Sequence, residues 1–137
     1  VAGQKEALVF RNRFYLSASY GGKGEKAFLS WYKAQARQLL ADRVALYAAR
    51  YGFTPRQIHL SSARTRWGSC STKGSINLNW RLVMAPLDVV DYVVLHELVH
   101  LQVKNHSRQY WERLGALLPD YKKYRDWLKQ NGHKLNL

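Results

Sequence analysis

The chain has 137 residues, enough for one domain that buries roughly two-thirds of the surface its unfolded form exposes. At 47% hydrophobic residues it is no disordered polyelectrolyte; no apolar run reaches membrane-span length and no signal-peptide pattern opens it, so no membrane partner is expected. Lysine and arginine number 22 against 9 aspartates and glutamates, a net charge of +13 that draws a chain toward nucleic acid, anionic membrane or acidic protein without choosing among them.

The single cysteine, Cys70, excludes an internal disulfide and suits a reducing cytoplasm. The chain starts at Val1 rather than Met, so the expectation is a single domain over 1–137 that lacks some of its N-terminal part.

In chain order, residues 7–20 read as a short hairpin, with Leu8-Val9-Phe10 and Phe14-Tyr15-Leu16 either side of Arg11-Asn12-Arg13. Gly21 to Gly24 is a break. The 3–4 spacing of Phe28, Trp31, Tyr32, Leu39, Leu40, Val44 and Tyr47 predicts a helix over 25–51, stopped by Gly52 and Pro55. Ile58 and Leu60 alternate with polar neighbours as in a strand. After Arg66-Trp67-Gly68-Ser69-Cys70 and a turn at Ser71-Thr72-Lys73-Gly74, Ile76, Leu78, Trp80 and Leu82 alternate with Asn77, Asn79 and Arg81. That pattern predicts a half-buried strand over 75–82. Pro86, Asp88 and Asp91 suit the start of a valine-rich helix. Further helices are expected from about Ser107 to Leu118, and from Asp120 to the stop at Asn131-Gly132.

Chemistry concentrates in His96-Glu97-Leu98-Val99-His100, an H-E-x-x-H pattern inside the valine-rich helix. Two histidines four apart stand one turn above each other, so both rings can reach one ion at about 2 Å. Glu97, beside them, is placed to take a proton from water that a metal has acidified. A catalytic zinc usually has three protein ligands. His106 is the first candidate for the third, but a straight helix would carry it roughly 9 Å beyond His100. It can join only if the chain turns, and Lys104-Asn105 offers a left-handed turn before Ser107 caps the next helix. Val103 stands where the long zinc motif with histidines at 0, 4 and 10 has glycine. Glu112, Asp120 and His133 are alternative ligands.

A peptide could lie along the 75–82 strand as an added strand, which makes Asn77, Asn79 and Arg81 candidate substrate-binding residues. Arg64, Arg66 and Tyr110 are candidates for stabilising an oxyanion. Cys70 reads as a small buried side chain and His59 as a surface histidine.

Several blocks taken together resemble the YgjP-like metallopeptidase family. They are Arg66-Trp67-Gly68-Ser69-Cys70-Ser71, Ile76-Asn77-Leu78-Asn79-Trp80-Arg81-Leu82, His96-Glu97-Leu98-Val99-His100-Leu101, Asn105-His106-Ser107 with Tyr110-Trp111, and the tail from Pro119-Asp120-Tyr121 to Gly132. The resemblance spans about 30–135. It implies a zincin-like α+β fold, with a small, mostly antiparallel sheet packed on an active-site helix and further helices beside it. It implies one zinc per chain on His96, His100 and His106, Glu97 as general base, and a peptide or protein substrate. The family is similar to the SprT-like and WLM domains, some of which act on DNA-bound proteins, and so implies work near nucleic acid through the basic surface. Two other functions fit the residues alone: a zinc hydrolase of a non-peptide bond, and a basic nucleic-acid-binding module.

Overall fold

The computed structural model describes residues 22–63 and 65–135, with backbone alone for 22–25. The hairpin expected over 7–20 and the oxyanion candidate Arg64 lie outside the described residues.

Helix α1 (Gly22–Tyr51) buries Tyr32, Ala36, Leu40 and Val44, a stripe with a strict four-residue step along one face. It ends at Gly52, whose φ of +74° suits a residue without a Cβ. Three short strands follow: β1 (Gln57–Ser61), β2 (Gly68–Cys70) and β3 (Ser75–Asn79), in the order β1-β3-β2. β2 and β3 form an antiparallel hairpin across the Ser71–Gly74 turn, where the Ser75 N–H donates to Ser71 Oγ at 3.0 Å. β1 pairs with β3 in parallel from Gln57↔Ser75 to Ser61↔Asn79. The sheet is therefore mixed among the described residues, its longer pairing parallel, rather than mostly antiparallel.

The strand expected to run to residue 82 stops at Asn79. Asn79 Oδ1 accepts the Arg81 N–H at 3.0 Å, giving the backbone an alternative to the ladder, and Trp80–Met84 winds into a 3-10 segment buried at every position. Helix α2 (Leu87–Val99) then starts behind Pro86, with Asp88 in its first turn. It buries Val89, Val90, Val93, Val94, Leu95, Leu98 and Val99, and packs on α1, the sheet, α3 (Arg108–Leu117) and α4 (Tyr121–Asn131). A helix buried on nearly all sides is a rigid support. Trp67 packs so closely on Gly132, behind α4, that a Cβ there would stand 3.0 Å from the indole.

α1 is tied to α2 by one polar cluster. Arg43 Nε and Nη2 each donate to a different oxygen of Asp91 at 2.7 Å, and the Tyr47 hydroxyl adds a bond of 2.8 Å to Oδ2. Asp91 is 7% exposed, so these partners offset the cost of burying its charge. Asp91 raises the Arg43 pKa further above its ordinary value. Arg43→Ala leaves this carboxylate with the tyrosine alone, and is expected to cost about 2 kcal/mol. Calorimetry should then show Tm lowered by about 5–8 °C; an unchanged Tm would mean the pair carries no net stability.

Candidate metal centre

The site is built where α2 ends. In a continuous helix the His100 N–H would bond the His96 carbonyl. Here it bonds the Glu97 carbonyl at 3.1 Å, and Leu101→Leu98 and Gln102→Val99 repeat that shorter step at 3.0 Å. The last turn is thus 3-10. The His96 carbonyl left over is taken by the Tyr110 hydroxyl from α3, at 2.7 Å. Tightening the turn bends the chain back, and no left-handed residue is used: among the described residues no non-glycine has positive φ, so Asn105 does not make the expected left-handed turn. Ser107 stands at the start of α3 in extended conformation, but its hydroxyl makes no capping bond.

The fold brings His96, His100 and His106 together, with one ring nitrogen of each within 4.8 Å of the others. His100 Nδ1 lies 3.0 Å from the Val103 carbonyl. A carbonyl only accepts, so Nδ1 carries the proton and Nε2 presents a lone pair. That Nε2 is 2.9 Å from His106 Nε2, a separation two imidazole nitrogens hold only with a proton or a cation between them. Burial, His96 and His100 push the His106 pKa below its ordinary value, favouring the neutral form that can ligate. Tetrahedral zinc, about 2.0–2.1 Å from each nitrogen, needs nitrogens roughly 3.4 Å apart. The donor set and its spacing fit such an ion after small side-chain rotations. Aromatic rings brace the histidines: Tyr110 stacks on His100 at 4.5 Å and Trp111 on His106 at 5.5 Å between centroids.

Glu97 is 4% exposed, with Oε2 3.1 Å from His96 Nδ1. Gly68 on β2 also lies close, where a Cβ would stand 2.9 Å from Oε2 and 3.0 Å from Cγ. Gly68 is thus the residue that lets the sheet edge approach the carboxylate. The sequence did not point to Gly68, because no strand was expected over 66–70; a glycine at a strand position marks a close approach to the backbone only once the strand is known.

The remaining candidates are placed as follows. Asn77, half-buried, donates to Ser69 Oγ at 3.2 Å across the hairpin. Asn79 and Arg81 face inward, not onto an open strand face. Asn79 Nδ2 donates to the Ala63 and Arg66 carbonyls at 2.6 and 3.3 Å, and Arg81 Nη1 to the Ser62 carbonyl at 3.3 Å, so both hold the loop ahead of β2. β3 lies between β1 and β2 and has no free edge; β2 borders the site and has no second neighbour among the described residues. Tyr110 is fully buried with its hydroxyl engaged, and burial raises its pKa. Glu112 is exposed and paired with Arg108 at 2.8 Å, and Asp120 and His133 are exposed and outside the cluster. His59 is exposed beside Gln57. Cys70 is half-buried, its thiol pKa raised by burial.

A cavity of about 350 Å³ opens beside His96 and Glu97, between Trp67, Tyr92 and Leu128, and a second of about 220 Å³ runs from Glu97 past Ser69 and Cys70 to Lys104. The histidine cluster is therefore open to ligands, as a catalytic rather than a closed structural site is.

The fold is that of small metallopeptidases. The metallopeptidase zymogen of Pyrococcus abyssi abylysin is similar at a TM-score of 0.57 and 20% identity, covering 64% of this chain and 89% of that one. The zymogen of Methanocaldococcus jannaschii jannalysin is similar at 0.55 and 21%, covering 66% and 94%. No curated protein shows a significant match. Residues 9–131 match the YgjP-like metallopeptidase domain, and the chain belongs to that family. Membership implies a peptidase with a catalytic metal and protein or peptide substrates.

His106→Ala, purified without added metal, is expected to lose most of its bound metal by plasma mass spectrometry, while Glu112→Ala keeps it. Metal retained in the first variant and lost in the second would move the third ligand to α3.

Proposed function

We propose that the chain is an HExxH-type zinc peptidase, with one zinc held by His96, His100 and His106 and Glu97 as its general base. The observation that carries this reading is the convergence of three imidazole nitrogens beside a buried carboxylate at the edge of an open cleft. Bound there, zinc would supply Lewis acidity to a scissile carbonyl and to water. Glu97 takes the proton from the attacking water and returns it to the amine that leaves. Its contact with His96 Nδ1 and with the Gly68 backbone restricts its rotamers, so it waits in position. Main-chain groups on the free side of β2 can align an extended peptide past Glu97. Tyr110, locked on the His96 carbonyl, orients a ligand and not the substrate.

Glu97→Gln keeps the shape of the side chain and loses its basicity. It is expected to lower kcat on a denatured protein substrate by about 10²–10⁴ with zinc content unchanged. Gly68→Ala should displace the carboxylate, and lower kcat by about tenfold or more with the metal likewise retained. Full activity in Glu97→Gln would remove the general-base assignment.

The +13 charge supports a second element, work close to nucleic acid, and the single cysteine suits the cytoplasm as its place. Affinity for duplex DNA is then expected to fall steeply between 50 and 200 mM salt, and to survive chelation of the metal. Absence of binding at 50 mM salt would remove that element.

A further inference from the structure

The 350 Å³ cavity has two kinds of wall. Trp67, Tyr92, Val93 and Leu128 are apolar, whereas Arg66, Arg125 and Lys129 bring three cations to the same space. The one carboxylate lining it is Glu97, at the reacting end. The Arg125 side chain is 37% exposed, and its covered Nε pairs with Asp126 at 3.6 Å. The planar guanidinium has further N–H groups that can bond a carboxylate.

We propose that this cavity is the specificity subsite of the enzyme and receives an acidic side chain, glutamate above all, next to the bond being cut. The inference rests on the peptidase reading and deepens it. Methylene groups pack on the indole of Trp67, Val93 and Leu128, and the carboxylate at their end meets Arg125, with Arg66 and Lys129 around it. An apolar side chain fills the space but brings no anion to the three cations, and a lysine or arginine meets three like charges. A site built to bond a polar group rejects the analogue without it more strongly than an apolar pocket rejects a wrong shape. The same carboxylate chemistry could come from the C-terminus of a peptide, and blocked peptides separate the two sources.

The test uses the zinc-loaded protein and peptides acetylated at one end and amidated at the other, identical except for Glu, Gln, Leu or Lys scanned through the positions flanking the cut. Wild type is expected to favour Glu over Gln by about tenfold in kcat/KM, with Lys poorest. In Arg125→Gln/Lys129→Gln the Glu-to-Gln ratio falls toward one; because both peptides are read on one enzyme, a general loss of activity does not imitate this result. Raising the salt concentration lowers the ratio in wild type. Equal rates for Glu and Gln, or a preference that appears only with free-acid peptides, would overturn the proposal. Calorimetric binding of the same peptides to zinc-loaded Glu97→Gln separates this inference from its premise. Tighter binding of the Glu peptide, with wild type cleaving nothing, upholds the subsite and removes the peptidase reading; equal binding removes the subsite whatever is cleaved.

Discussion

The whole site depends on where α2 stops. A helix can supply two imidazoles to one ion from positions four apart, but a third must come from chain that has left the helix axis. The switch to a 3-10 turn at His100 achieves this without glycine and without a left-handed residue. It also frees the His96 carbonyl. A buried carbonyl without a donor would destabilise the turn, and the Tyr110 hydroxyl supplies that donor. One bond therefore ties the His96 backbone to the helix that follows His106. Tyr110 also stacks on His100, and Trp111, its neighbour, stacks on His106. Three histidines within eleven residues thus share a single brace.

The second constraint is the burial of Glu97. A carboxylate at 4% exposure needs compensation; His96 Nδ1 stands 3.1 Å from it, and the edge of β2 comes close at Gly68, a residue with no side chain. The hairpin is in turn held by the loop ahead of it, which Asn79 and Arg81 grip from below. The polar residues at 79 and 81 thus contribute to the site indirectly, by fixing the strand that fixes Gly68.

This explains why some of the structure was legible in the sequence and some was not. His96, Glu97 and His100 are local: helical spacing alone places them together. Tyr32, Leu40 and Val44 on the buried face of α1 and the Ser71–Gly74 turn are local in the same sense. The α+β class followed from the family resemblance and from strand and helix patterns. Strand pairing is not local. Alternation at 76, 78, 80 and 82 describes one face of a strand and says nothing of its neighbours, so the central position of β3 and its parallel pairing with β1 were hidden. The alternation also continued past Asn79 although the backbone did not, because Trp80 and Leu82 are buried equally well from a 3-10 segment. Asn79 and Arg81, polar by type, looked like an exposed face, yet backbone carbonyls were their partners and no side-chain pattern reveals those. His106 could be nominated by spacing, but the turn that delivers it rests on which carbonyl each N–H selects.

The basic composition acquires a local meaning at the cleft. A metal dication at the histidines and cations at Arg66, Arg125, Lys129 and Lys104 would make the cleft strongly positive, with Glu97 as its interior negative group. Such a field favours charge that develops as negative, as on a carbonyl oxygen under attack. It also acts at a distance, drawing acidic partners toward the opening before any contact forms. Salt weakens that long-range part first, because a Debye length of about 8 Å at physiological ionic strength is shorter than the approach path. Arg125 is less exposed than Arg66 or Lys129, so salt weakens its short-range contact with a bound carboxylate less steeply than it weakens long-range attraction. Capture and discrimination therefore draw on the same cations at two ranges: at a distance they set how often an acidic partner arrives, and in contact they set which residue stays.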